Sequence, residues 1–267
     1  MPWKTAGRVT ERYATGDEVV RETGWVFNNA TGNTLTLAEF VASGDDEVPT
    51  YLQLFGLVGD HPERATLVEI GSGIGRMTCA FTRTFGTVVA ADLDAGFLER
   101  CRETVARFGK IDRLRTLEVA DGRTLELRDD SADAAFSYIT LQHCSDDDAL
   151  GLIAESVRVV RPGGRVAFNL RSRSSADVVA RPLGAVVRVL FQVPGLGGWI
   201  SRRRMATRLA WQANRVPPEA VLALVGDRLD DVAIWRHPDG SASAPGVRVE
   251  TFDGVNRHHW WLVGTVR

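Results

Sequence analysis

The sequence is poor in the features that would take it out of ordinary globular chemistry. Its three cysteines, Cys79, Cys101 and Cys144, are odd in number and far apart in 267 residues, so they form neither a disulfide framework nor a CxxC metal knuckle. They read as buried thiols. No uninterrupted apolar run is long enough to cross a bilayer, and the first residues, MPWKTAGRVTER, hold no apolar core of signal-peptide length. These absences lead to the expectation of a cytoplasmic protein without a membrane partner. Charge of one sign is lacking too. The 32 basic and 34 acidic side chains leave a formal net charge of −2, which gives no electrostatic case for nucleic acid. Internal repeats and low-complexity tracts are absent.

What is present is the composition of a globular chain, 44% apolar and 25% charged, with a length that suits one elaborated domain. Its richness in Ala, Arg, Val, Asp and Gly suggests a bacterium with GC-rich DNA. Between Thr66 and Leu170, short β-branched or apolar runs alternate with amphipathic stretches, the pattern of βαβ units around a parallel sheet. The predicted strands are Thr66–Ile70, Thr87–Ala91, Leu114–Ala120, Ala132–Tyr138 and Gly164–Leu170. The predicted helices are Gly75–Thr84, Ala95–Phe108 and Asp146–Val160, the last stopped by Arg161-Pro162-Gly163-Gly164.

Around this core, residues 65–170, the periodicity is weaker. Pro2 to Asp46 shows a poor period and is followed by a predicted helix from Val48 to Val58, so residues 1–64 are expected to form a lid. Residues 171–216 read as an inserted helical cap with helices near Ala176–Val193 and Ile200–Ala213, separated by Pro194-Gly195-Leu196-Gly197-Gly198. Residues 217–267 complete the core sheet. A helix opens at Pro217-Pro218-Glu219 and runs through Val225, and strands follow near Leu229–Trp235 and His259–Val266.

The stretch LVEIGSGIGR, Leu67 to Arg76, runs from a predicted strand into a glycine-rich turn and a helix. Such a turn offers backbone N–H groups and a positive helix end to a ligand. The dinucleotide fingerprint needs glycine where Arg76 stands, and the acidic Glu69 before the turn would repel a pyrophosphate. Both features count against NAD or FAD. Glu69 suits a cationic or amino group instead. The next strand ends in Asp92, at the distance beyond the loop expected of a ribose-binding carboxylate, with Leu93 beside it to lie against an adenine face. After the third strand, VADGR presents Asp121 and Gly122 at a turn where an adenine amino group can donate.

These residues resemble the class I S-adenosylmethionine-dependent methyltransferases. LVEIGSGIGR is similar to that family's first motif, AADLD to its ribose acid, VADGRTLEL to its adenine turn, SADAAFSYITLQHC to its fourth strand and loop, and RVVRPGGRVAFNL to its fifth. The resemblance implies a Rossmann-like α/β fold in three αβα layers, with a seven-stranded, mostly parallel sheet whose last strand is antiparallel. It implies S-adenosylmethionine as cofactor. Glu69, Gly71 and Gly73 would hold its amino-acid end, Asp92 the ribose, and Leu93, Asp121 and Gly122 the adenine, while Gln142 borders the pocket.

Methyl transfer from a sulfonium is an in-line displacement, and an alcohol acceptor must lose its proton as it attacks, a task suited to histidine. His143, just past the fourth strand, is the candidate base; the alternative is that Gln142-His143 only shapes the cofactor pocket. His258 and His259 read as a surface turn before the last strand, with one of them able to line the site, and His237 as a hairpin residue. Asp146, Asp147 and Asp148 suit either Mg²⁺ or, more simply, a helix N-terminus capped by Ser145. Arg202, Arg203 and Arg204 could meet an anionic acceptor but read as a solvated helix face. Phe191, Trp199 and Trp211 read as packing of the insertion or as stacking surfaces for a ring. The expected reaction is O-methylation of a hydroxylated small molecule or saccharide. N- or C-methylation, a nicotinamide-dependent oxidoreductase and a non-catalytic cofactor-binding module remain alternatives.

Overall fold

The computed structural model describes residues 16–20, 35–172, 177–190, 193, 196–200, 206, 209 and 214–267. The eight strands are β1 (Thr66–Ile70), β2 (Thr87–Asp92), β3 (Leu114–Glu118), β4 (Ala132–Ser137), β5 (Val160–Arg171), β6 (Leu229–Arg236), β7 (Arg248–Thr251) and β8 (His259–Val266). They form one sheet in the order β3-β2-β1-β4-β5-β8-β6-β7. The pairings from β3 to β5 are parallel, and β8 runs antiparallel to both its neighbours. The last strand of the chain is therefore antiparallel as the sequence implied, but it lies inside the sheet rather than at its edge. The edge is β7, an eighth strand parallel to β6. Its sequence, RVET, is too short and polar to announce a strand.

β1, β2 and β4 are buried along nearly all their length because helices cover both faces, which is why they read as continuous apolar runs. The described helices are α1 (Leu37–Leu54), α2 (Thr78–Thr84), α3 (Ala95–Phe108), α4 (Asp146–Val159), α5 (Asp177–Leu190), α6 (Leu196–Ile200) and α7 (Pro218–Val225). In β8 successive side chains go to opposite faces. Trp260 joins the core under α4 and α7 with Val157, Val221 and Val225, whereas Trp261 joins Tyr51, Phe55, Phe81 and Phe136 on the other side.

Three boundaries differ from the sequence reading. α1 begins at Leu37, well before Val48, and ends at Leu54. Its start is a capping box, in which Thr36 Oγ1 accepts from Glu39 N and Glu39 Oε2 accepts from Thr36 N at 2.8 Å. Its apolar face, Phe40, Val41, Gly44, Val48 and Tyr51, has helical spacing only if Gly44 counts as a contact position. It does: a Cβ there would come within 2.4 Å of the Arg76 carbonyl oxygen, so glycine lets α1 lie against the glycine loop. α2 begins at Thr78 rather than Gly75, whose φ of +95° lies outside the helical region. β5 begins at Val160 and carries Pro162-Gly163 inside it. The register on β4 moves from Ala132↔Val160 to Ala134↔Arg165, so the turn signal survives as a bulge.

The insertion helix α5 lies within the expected span, whereas α6 begins inside the expected break at residues 194–198 and ends at Ile200, where the second helix was expected to start. Phe191 of the first expected helix and Arg202, Arg203, Arg204 and Trp211 of the second lie outside the described residues. The insertion's return is anchored in the core. Asn214 Nδ2 donates to the carbonyls of Leu141 and Cys144 at 2.5 and 3.0 Å, and the buried guanidinium of Arg215 pairs with Asp177 at 2.7 Å.

Trp261 stacks on Tyr138 at 5.4 Å, with 4° between the planes, and touches Tyr51, Phe55 and Phe136 at 4.8–5.3 Å. Trp261→Ala is expected to lower the unfolding free energy by about 3–5 kcal/mol in urea titration. A change below about 1 kcal/mol would mean that the ring cluster does not hold α1 to the sheet.

Candidate functional site

Strand order reverses between β1 and β4, both flanking chains leaving their strands in opposite directions. In open parallel sheets the crevice at such a point, outside the carboxyl ends of the strands, is where ligands bind. Register brings Glu69 beside Ala90 and Phe136, and Ile70 beside Ala91 and Ser137, so the loops after β1, β2 and β4 leave the sheet at one level.

The loop after β1 turns on glycines in the left-handed region, Gly71 at φ +77° and Gly73 at +55°. At Gly71 a Cβ would meet Thr140 at 2.1 Å, so the loops after β1 and β4 touch backbone to side chain. Gly71 N and Ser72 N both donate to Ala91 O, and Gly73 N donates to Asp92 Oδ2 at 2.9 Å. Asp94 N donates to the other oxygen of Asp92 at 3.1 Å. One carboxylate thus sets the shape of two loops.

A cavity of about 100 Å³ opens over this loop. Of the residues singled out from sequence, Glu69, Gly71, Gly73, Asp92, Leu93 and His143 border it. Asp121, Gly122 and Gln142 do not. Asp121 is exposed at the turn after β3, where its oxygens accept from Arg123 N, Thr124 N and Thr124 Oγ1 at 2.7–2.8 Å. Those donors hold its carboxyl down to about 2. Gly122, at φ +74°, completes the same turn. Gln142 is buried beside His143 in the 3₁₀ turn Leu141–His143. Its Nε2 lies 3.4 Å from His143 Nε2, and its backbone carbonyl accepts from Asn214 N.

Two buried acids face the cavity. Burial pushes Glu69 up to about 7, against the Thr78 hydroxyl that donates to its Oε2 at 2.6 Å and the nearby Arg76 charge. Burial likewise raises Asp92 to about 6, opposed by the N–H groups of Gly73 and Asp94. Ser72 Oγ, also on the cavity wall, is buried with no hydrogen-bond partner among the described residues. Acids held above their usual range and an orphaned hydroxyl are what a site shaped for a cationic, hydrogen-bonding ligand leaves behind when that ligand is not counted.

Arg76, noted in the sequence only as a departure from the dinucleotide pattern, has a structural task. Its guanidinium is bidentate to Glu47 of α1 at 3.1 and 3.3 Å, reaches Ser43 Oγ at 3.3 Å and lies 5.6 Å from the Tyr138 ring centre. It clasps α1 onto the glycine loop.

A second, larger cavity of about 830 Å³ adjoins the first, and Tyr138 and Ile139 border both. Its walls come from α1 (Asp46, Glu47, Thr50, Tyr51), from the loop before β8, and from Asn169 and His259. Ile139 has φ +52°, a genuine outlier for a β-branched residue, and its N–H reaches Asn169 Oδ1 at 3.4 Å. His259 is not in a surface turn. It is the first residue of β8, 4% exposed, with Nδ1 3.0 Å from Asn169 Oδ1. An amide oxygen only accepts, so Nδ1–H donates and the lone pair belongs to Nε2. Burial, then the positive charge of Arg171, push this imidazole down to about 3. His258 borders the same cavity, and so does His237. Sequence reasoning missed Asn169, Tyr51 and Tyr138; each sits in an apolar run where a polar group reads as a core residue.

The acidic run serves α4. Ser145 Oγ accepts from Asp148 N at 3.1 Å, and Asp148 pairs with Arg123. Among the described residues no group of three or more His, Cys, Asp or Glu is arranged to hold a metal ion.

Residues 68–168 match a family described as "Methyltransferase domain". Over these residues the core is similar to S-adenosylmethionine-dependent methyltransferase domains, and its sheet has the Rossmann-like fold of the class I enzymes. Methyltransferase GfsG of Streptomyces halstedii is 33% identical over 116 residues, 43% of this chain and 38% of that protein. The malonyl-[acyl-carrier protein] O-methyltransferase of Methylococcus capsulatus is 34% identical over 113 residues, 40% of this chain and 38% of the relative. The matched stretch thus spans well under half of these relatives. In fold, the chain is similar to magnesium protoporphyrin IX methyltransferase from Synechocystis, solved with bound SAH (TM-score 0.53, 14% identity, 94% of this chain and 98% of that one). It is also similar to an O-methyltransferase family protein from Burkholderia thailandensis (TM-score 0.50, 15% identity, 99% and 68%).

The pH dependence of stability should carry the mark of Glu69. Its folded value near 7 lies above the ordinary 4.5, so folding disfavours the charged form. Relative to Glu69→Gln, the unliganded protein should lose unfolding free energy as pH rises from about 4.5 to about 7, by on the order of 3 kcal/mol, and then level off. A pH-independent difference between the two proteins would show that Glu69 titrates as an exposed acid.

Proposed function

We propose that this chain transfers a methyl group from S-adenosylmethionine to a hydroxyl of a small molecule or saccharide, with His143 as general base. The observation that carries the reading is the pair of cavities meeting at Tyr138-Ile139, with His143 on the wall of the smaller one. The cofactor, when bound, supplies an electrophilic methyl on a positively charged sulfur.

The residues of the smaller cavity fit that group. Glu69 meets the amino end, and the turns at Gly71 and Gly73 leave room for its backbone to pass. Asp92 accepts from the ribose hydroxyls while keeping its bonds to Gly73 and Asp94. Leu93 would lie against the base; Asp121 and Gly122, outside the cavity wall, would reach its far edge from the turn after β3, and Gln142 holds the turn that carries His143.

The acceptor enters from the larger cavity, which the α1 part of the residue 1–64 lid covers. Residues 171–216 form a cap that fastens to the His143 turn through Asn214. The lone pair on His259 Nε2 accepts from an acceptor hydroxyl and orients it. His143 would take the proton from the attacking hydroxyl, and the bound donor would supply the methyl, the O–CH₃ bond replacing the S–CH₃ bond with a neutral thioether as leaving group. Closure around this line of atoms keeps water out. Malonyl-[acyl-carrier protein] O-methyltransferases among the relatives favour oxygen as the acceptor atom, while phosphoethanolamine N-methyltransferases among them keep nitrogen as the alternative.

His143→Ala should lower kcat by about 10²–10⁴-fold on an accepted hydroxylated substrate, with the affinity for S-adenosylhomocysteine nearly unchanged in calorimetry. Wild-type turnover would remove His143 as the base. Asp92→Ala should weaken that affinity by roughly tenfold or more, the worth of a charge-assisted hydrogen bond. Calorimetry returning wild-type affinity would reject the ribose assignment.

A further inference from the structure

Helix α5 turns an apolar face outward. Val178, Val179, Leu183, Val186 and Val189 are 81, 69, 47, 54 and 63% exposed, whereas Asp177, Gly184 and Val187 face inward. At about 100° per residue, the exposed apolar positions fall within an arc of roughly 140°. Leu196 and Trp199 of α6, 39 and 57% exposed, add to the outward apolar surface of the same insertion. Patches of this kind on a chain mark an interaction surface.

Charge says what the surface meets. Residues 171–216 hold nine arginines and one acidic residue, Asp177, in a chain whose total is −2. That single acid is already committed to the buried pair with Arg215. Excess positive charge in the same stretch of sequence as an exposed apolar helix face and a tryptophan is the chemistry of an interfacial helix on an anionic bilayer. Valines and leucine enter the acyl boundary, an indole sits at headgroup depth, and arginines meet lipid phosphates. A folded protein partner would need a groove to receive so convex a face. Among the described residues no helix is long and apolar enough to span a membrane, so the contact is peripheral.

We infer that α5 and α6 dock this protein on an anionic membrane surface, apolar face inward. The inference revises the expectation of a protein without a membrane partner. It does not rest on methyl transfer, because vesicle binding needs neither cofactor nor acceptor.

The test is cosedimentation of the full chain with sucrose-loaded vesicles of phosphatidylcholine alone and of phosphatidylcholine with an equal amount of phosphatidylglycerol. Wild type should partition onto the anionic vesicles about tenfold or more better than onto the neutral ones, and lose that preference in high salt. The double variant Val179→Asp with Val186→Asp should abolish binding. Val186→Ser with Val189→Ser, a milder change, should weaken it and guards against a misfolded first variant. Affinity for S-adenosylhomocysteine should stay at the wild-type level in both. Absence of wild-type binding, or binding that both variants retain, overturns the inference. So does a concentration-dependent dimer in gel filtration that the same variants dissolve, since a second copy of the chain would then be what covers the face.

Discussion

The contact on which the site depends is the one between Gly71 and Thr140. The loops after β1 and β4 come so close at the point where strand order reverses that no Cβ fits between them. Thr140 Oγ1 donates to the Gly71 carbonyl at 3.3 Å, joining what sterics already force together. Everything chemically distinctive stands on one side or the other of this meeting. Glu69 precedes the first loop and Asp92 accepts from its Gly73 N–H, while Ile139 and His143 flank Thr140 on the second. A residue larger than glycine would part the loops and separate the acids from the histidine.

From that junction the architecture extends outward through Arg76. A guanidinium buried beside the glycine loop needs a carboxylate, and Glu47 supplies it from a helix some thirty residues earlier in the chain. The aromatic cluster around Trp261 places the same helix from the sheet side. α1 is therefore held twice within its second half, by the charge pair to Arg76 of the smaller cavity and, one turn on, by ring packing beside the larger one. The two cavities owe their common wall to this double attachment.

How much of this could be read in advance depended on the range of the interactions. Strands β1, β2 and β4, helix α3 and the clustering of Glu69, Asp92 and His143 were legible because local apolar runs, a glycine turn and the βαβ alternation specify them. α1 was misplaced because its face includes Gly44, whose meaning lies in the approach of Arg76, and a hydrophobic pattern cannot show it. β7 was missed because four polar-flanked residues become a strand only when β6 offers an edge. His259 looked like a loop residue, since its partner Asn169 is ninety positions away and sits in what reads as an apolar strand. The acceptor side of the molecule was the least legible part for the same reason: its walls are assembled from α1, β5 and the approach to β8, which no local signal connects.

Ile139 adds a consequence of a different kind. A β-branched side chain held at positive φ costs on the order of 1–3 kcal/mol, and glycine would relieve it. Relief would also delete a side chain that borders both cavities at the place where they meet. At this position backbone comfort and the shape of the passage are opposed, and the chain has kept the shape.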